Sequence, residues 1–265
     1  MPKPMMQDAP PANGLALGQD LGQGHTKADV NLMQERALLY RATGDEAFLA
    51  ADHFYFAPFT ALNGSGVTGG AIAAYDDETH TLTVAISAKG LEANQPHIQH
   101  IHGFLDGAEA RTPTLDQDDD RDGYVELAEG LDTYGPILLN LSTNHANGSG
   151  GDNGHSHEGA VTGFPTAPNG SEYFVESYRL PQDSLGVDPM LALREIVIHG
   201  MTTPAGAGAG TAGEVDGSAG YKLVLPVASG ELSDVMSSQD LRAFIRNIGF
   251  DDAARANADH GWAFG

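Results

Sequence analysis

Eleven histidines are spread through the 265 residues, and cysteine is absent. Two of them, His100 and His102, stand two apart in Pro96-His97-Ile98-Gln99-His100-Ile101-His102-Gly103. In a strand that spacing puts both imidazoles on one face, and imidazole nitrogen suits zinc or copper. The spacing alone is met equally well by surface or hydrogen-bonded histidines. A third candidate is His199, which closes the apolar run Glu195-Ile196-Val197-Ile198-His199. His97 lies near the start of the same strand, with its face undetermined. His145, His155 and His157 form a second group in the Gly/Asn-rich stretch Asn144–Gly159, where Asp152 and Glu158 could assist. His25, His53, His80 and His260 have no partner nearby in sequence and read as structural or surface residues. Without cysteine there is no disulfide, thiolate site or Cys nucleophile. A transition-metal site must therefore be made of histidine and carboxylate.

A second constellation is Asp118-Asp119-Asp120-Arg121-Asp122-Gly123-Tyr124-Val125-Glu126-Leu127-Ala128-Glu129. It supplies oxygen donors at loop positions 1, 3, 5, 9 and 12, with glycine at position 6, which is the calcium-loop spacing of the EF-hand. A hard divalent cation takes six to eight oxygens, and a sharp turn at Gly123 aims Asp118, Asp120 and Asp122 at one point. Tyr124 would add its carbonyl, Glu126 a direct or water-bridged contact, and Glu129 a bidentate carboxylate. Most aspartate runs are merely solvated, but here the glycine and the terminal glutamate fall in register. Pro113 before the loop, and Gly130 and Gly135-Pro136 after it, disfavour a pair of long flanking helices. A single structural clamp is expected, and no second loop suggests a sensor pair.

The elements that must position these groups read mainly as β-structure. Residues 1–29 show no hydrophobic period and read as a leader; residues 30–52 show helical patterning. Gly44 interrupts it, and Thr43 with Glu46 has the spacing of a capping box. From 53 to 230 a β-sandwich body is expected. Thr81–Ser87 alternates with Leu82, Val84 and Ile86 on one face, and Ala71–Tyr75 is its hairpin partner. Further strands are expected at Phe54–Phe59, Ile98–Phe104, Ile137–Leu141, Tyr173–Leu180, Glu195–His199 and Tyr221–Val227. Short strands between Gly/Pro/Asp loops favour an antiparallel sandwich or barrel. Thr203–Ala219 is a long loop. In 231–265, Leu241, Phe244, Ile245 and Ile248 recur at helical spacing, with Gly249 placed to end the helix.

Composition narrows the function classes. Asp plus Glu number 36 against 13 Lys plus Arg, a formal net charge of −23. Such a surface disfavours nucleic acid and anionic membranes, which need cationic side chains. Seven of the acids fall between Asp116 and Glu129, where Arg121 is the one base. No stretch has the ~18 apolar residues of a membrane helix, and Met1–Asn31 has no apolar signal core. No P-loop, dinucleotide fingerprint or Ser-His-Asp nucleophile motif is evident.

Gly90-Leu91 followed by Pro96–Gly103 resembles the CHRD domain, a β-sandwich module, and Tyr134-Gly135-Pro136-Ile137-Leu138 is similar to a strand that follows an Asp-rich insertion in bacterial members. The second half resembles copper–zinc superoxide dismutase, whose fold the CHRD sandwich is thought to share. The residues concerned are His155-Ser156-His157-Glu158-Gly159-Ala160-Val161-Thr162, Arg194–His199 and Gly217-Ser218-Ala219-Gly220-Tyr221-Lys222-Leu223. The resemblance covers about residues 54–228. It implies a mainly β, antiparallel Greek-key sandwich or barrel, to which the residue patterning outside it adds short N-terminal helices and one C-terminal helix. It also implies copper (or zinc) at His100, His102 and His199, with the choice of a further ligand open among His145, His155 and His157. Lys222 would stand where the dismutases have an anion-guiding arginine, keeping the charge without the planar fork. The family resemblance favours an extracellular or periplasmic setting. The chain departs from the dismutases in lacking their disulfide, and the segment after His102 is occupied by the calcium-type loop. Three function classes follow: a metal-binding sandwich with structural calcium, a copper-dependent dismutase-like oxidoreductase, and a non-enzymatic CHRD-type interaction domain. Metal ions are the expected partners, and no protein partner is indicated.

Overall fold

The computed structural model describes residues 27–144, 162–180, 190–234 and 238–250. Two five-stranded antiparallel sheets face each other. The first contains β1 (His53–Pro58), β3 (Thr68–Asp76), β4 (Thr81–Lys89), β7 (Ser171–Arg179) and β10 (Ser233–Asp234), in the order β10-β1-β3-β4-β7. The second contains β2 (Thr60–Ala61), β5 (Gln99–His102), β6 (Ile137–Asn140), β8 (Glu195–Thr203) and β9 (Gly220–Glu231), in the order β2-β9-β8-β5-β6. All eight strands expected from the sequence form. The sheets stay open, so the alternative of a closed barrel gives way to the sandwich. The two-residue strands β2 and β10 are too short to show an alternation.

Period-two alternation builds the core between the sheets. Leu82, Val84 and Ile86 of β4 point inward and meet Ile101 of β5, Leu139 of β6, and Ile196 and Ile198 of β8. Each such side chain contributes about 1.5–3 kcal/mol by leaving water. Residues of opposite parity line a second apolar layer, where Phe54, Phe56, Ile72, Ala74 and Ala85 are covered by helices. These are α1 (Lys27–Thr43), α2 (Ala47–Ala50) and, from the C-terminal segment, α4 (Ser238–Ile248). Leu39, Phe48, Leu241, Ile245 and Ile248 supply the covering faces. The helices thus cap the first sheet and leave the outer face of the second to other elements.

Gly44, at φ +75°, ends α1 as expected, but the capping box does not form. Thr43 Oγ1 turns back to donate to the Leu39 carbonyl at 2.8 Å, and Asp45 Oδ1 accepts from Ala47 N–H at 2.8 Å. Asp45 is two residues nearer to α2 than Thr43 and takes the capping role.

Candidate metal centre

Strand β5 lies between β6 and β8, with His100 opposite Val197 and His102 opposite Glu195. Because Ile101, Ile196 and Ile198 point into the core, His100, His102 and Val197 share the opposite, outer face. Irregularities in the β8–β9 pairing flank His199; bulges of this kind re-aim a side chain. His199 joins the pair. Ring centroids are 5.6 Å apart for His100 and His102, 5.2 Å for His100 and His199, and 6.0 Å for His102 and His199. One nitrogen from each ring lies within 4.8 Å of the other two, and all three residues are 0% exposed. Three nitrogens at ~2.0–2.1 Å from one ion would be about 3.3–3.6 Å apart. Closing that difference needs only small ring movements.

Hydrogen bonds define the donor atoms. His102 Nδ1 lies 2.8 Å from the Gly135 carbonyl, and His199 Nδ1 lies 2.7 Å from the Val224 carbonyl. A carbonyl only accepts, so each Nδ1 carries a proton, and Nε2 is the nitrogen left to ligate. Metal-ligating histidines characteristically donate their second nitrogen's proton to a carbonyl in this way. Phe164 covers His100 edge-on at 5.7 Å, and Tyr134 packs on His102 at 4.5 Å. This buried cluster of imidazole nitrogens could bind a transition metal, and its donor chemistry fits zinc or copper.

His97 does not join it. Its Nδ1 and Nε2 reach the carbonyls of His199 and Glu92, at 2.9 and 3.0 Å, so it braces the strand end. His145, His155, His157, Asp152 and Glu158 lie outside the described residues. Lys222 Nζ donates to Ser218 Oγ at 2.8 Å and to Asp216 Oδ1 at 3.2 Å. Hydrogen bonds from Ser218 and Lys222 hold the Asp216 carboxyl well below the usual range, so the lysine's charge is answered by the loop that leads into β9.

The acidic loop folds around its own backbone. Gly123 has φ +93° and Arg121 φ +63°, the left-handed turns that fold the loop back on itself. Asp118 accepts from the N–H groups of Asp122 and Gly123 at 3.1 and 2.9 Å, and Asp122 Oδ1 accepts from Tyr124 N–H at 2.8 Å. Glu129 accepts from Asp119 and Glu126 N–H, at 2.8 and 2.9 Å. Carboxylate oxygens of Asp118, Asp120 and Glu129 come within 4.8 Å of one another. Burial raises the Asp122 carboxyl, and Asp120, Asp118 and Glu129 add repulsion.

Glu126 stands apart from this group. It caps the helix α3 (Leu127–Tyr134), and its carboxylate accepts from Val215 N–H at 2.6 Å. Burial, with repulsion from Glu214, pushes it up to about 7. The bond from Val215 ties Glu126 to the loop before β9. Asn63 holds the other side of the loop end: it accepts from Val125 N–H at 2.7 Å and donates to the carbonyls of Val125 and Pro226 at 2.9 Å.

Two glycines bring α3 to the histidine strand. A Cβ on Gly103 would lie 2.4 Å from Arg194 Cδ, and one on Gly135 would lie 2.7 Å from the Gly103 carbonyl group. Gly103→Ala is expected to destabilise the fold by about 1–3 kcal/mol through overpacking, measured by denaturant unfolding. An unchanged midpoint would show that Arg194 gives way freely.

The groups supporting the centre had no signature in the sequence. The carbonyls of Gly135 and Val224 act through backbone atoms that every residue possesses, and Tyr134 reaches His102 only through tertiary packing.

No protein-family model matches the chain, and neither a curated protein nor a solved structure matches it.

Proposed function

We propose that the protein is a metal-binding β-sandwich that holds zinc or copper at His100, His102 and His199. The observation that carries this reading is the convergence of three buried imidazoles, two of them with Nδ1 engaged by carbonyls and Nε2 left to ligate. Three imidazoles leave one position of a tetrahedral ion unfilled by the protein, and their full burial limits access to it. The Asp118–Glu129 loop is the second part of the proposal, as a structural calcium clamp. The in-register donors and the approach of Asp118, Asp120 and Glu129 support it.

Copper-dependent, dismutase-like chemistry is the second reading. The order and outer-face placement of His100, His102 and His199 favour it, while their burial and the Asp216–Lys222 pair weigh against anion access. An interaction domain of CHRD type would need no metal at the histidines.

Titration of metal-free protein with zinc or copper separates these readings. One equivalent taken up tightly is expected, with a further equivalent of calcium that zinc does not displace. Failure to bind either transition metal would leave the interaction reading. Glu129→Gln is expected to weaken calcium by at least about tenfold, or 1.4 kcal/mol, and to leave zinc unchanged. Equal calcium uptake by both chains would remove the clamp.

A further inference from the structure

Strand β5 ends at His102-Gly103 and α3 ends at Tyr134-Gly135, and the two ends are pressed together without side chains between them. Gly135 has φ +80°, and Gly103 N–H donates to the Pro136 carbonyl at 3.2 Å. This close approach is what carries the Gly135 carbonyl to His102 Nδ1. Tyr134 is fully buried, with its ring at 66° to the His102 ring. Its hydroxyl donates to the Leu127 carbonyl at 2.8 Å, spanning α3 from one end to the other. The ring fits because residue 130 is glycine: a Cβ there would lie 2.3–2.5 Å from the Tyr134 ring carbon and hydroxyl atoms.

A histidine ring turns through a broad torsional well, and one hydrogen bond to Nδ1 sets a direction without setting the plane. The Tyr134 ring supplies the second constraint. We propose that Tyr134 and Gly135 are positioning residues for His102, so that α3 sets the affinity and geometry of the histidine centre. This rests on the reading of His100, His102 and His199 as a metal centre. Supporting groups of this kind change metal affinity by about 10–100-fold when removed.

Cobalt(II), whose visible spectrum reports coordination geometry, is the probe. Gly130→Ala adds a methyl where the Tyr134 ring lies, at a helix position where alanine is otherwise favoured over glycine. It is expected to weaken cobalt by about 10–100-fold and to alter the spectrum. Tyr134→Leu should do the same, whereas Tyr134→Phe, which keeps the ring, should stay within about threefold of wild type. Tyr178→Phe is the structural control: its hydroxyl donates to the Ser142 carbonyl in the core, and its loss should lower the unfolding midpoint with the spectrum intact. Unchanged affinity and spectrum in folded Gly130→Ala or folded Tyr134→Leu would overturn the proposal; if one of them fails to fold, the other decides. Wild-type protein that takes up no cobalt would refute the metal centre itself, a distinct outcome.

Discussion

A His100→Ala chain is expected to bind zinc or copper more than about 100-fold less tightly than wild type, beyond the effect of removing a supporting group. His100 is the middle ring of the three, within 5.6 Å of both others. Two imidazoles hold an ion far less tightly than three. The readout is the stability that the metal adds. At a free metal concentration of 100 times the wild-type Kd, binding contributes about 2.7 kcal/mol; a 100-fold weaker variant gains about 0.4 kcal/mol. The unfolding midpoint of wild type should therefore rise sharply with metal, and that of His100→Ala should barely move. An equal rise in both would place the ion elsewhere.

Glu172→Gln is expected to flatten the pH dependence of stability. Glu172 sits opposite Ala88 in the β4–β7 pairing, on the inward face shared with Phe174 and Tyr178. It is 5% exposed, and neither carboxylate oxygen has a hydrogen-bond partner among the described residues. Burial pushes its carboxyl from 4.5 up to about 8. The folded chain then keeps this proton while the unfolded chain releases it. Stability from this group is fully present below pH 4.5 and falls as pH rises towards 8; above that both states are ionised and the loss is complete. At 1.36 kcal/mol per pH unit, the loss is about 5 kcal/mol. Glu195 acts in the same direction, raised to about 7 by burial even though Ser229 and Thr112 donate to it, so some slope remains in the variant. Denaturant unfolding at pH 5 and pH 8 should show wild type losing several kcal/mol more than Glu172→Gln. Equal losses would mean that Glu172 reaches water or a partner when ionised.

The strands and the C-terminal helix were legible because their signals are local. The alternation from Thr81 to Ser87 and the spacing of Leu241, Ile245 and Ile248 state which face is buried within a few residues. His100 and His102 were legible for the same reason, since a period of two places them on one face. That His199 meets them depends on β8 lying beside β5, a pairing across nearly a hundred residues that follows from sheet order. The tie from Glu126 to Val215 was not legible, because Val215 belongs to a loop whose Gly/Ala composition hides where it packs. The inward position of Glu172 contradicts its polarity, and only the β4 register reveals it. The −23 charge, at first only a reason to exclude nucleic acid, gains meaning from these few acids that the fold buries or gathers.

The central claim is one ion shared by His100, His102 and His199. Diffraction data collected across the zinc absorption edge, from crystals grown with one equivalent of zinc, test it most directly. An anomalous peak is expected about 2.0–2.1 Å from one nitrogen of each ring, with Nδ1 of His102 and His199 still bonded to the carbonyls of Gly135 and Val224. Zinc bound elsewhere, or three rings with no peak between them, would contradict it.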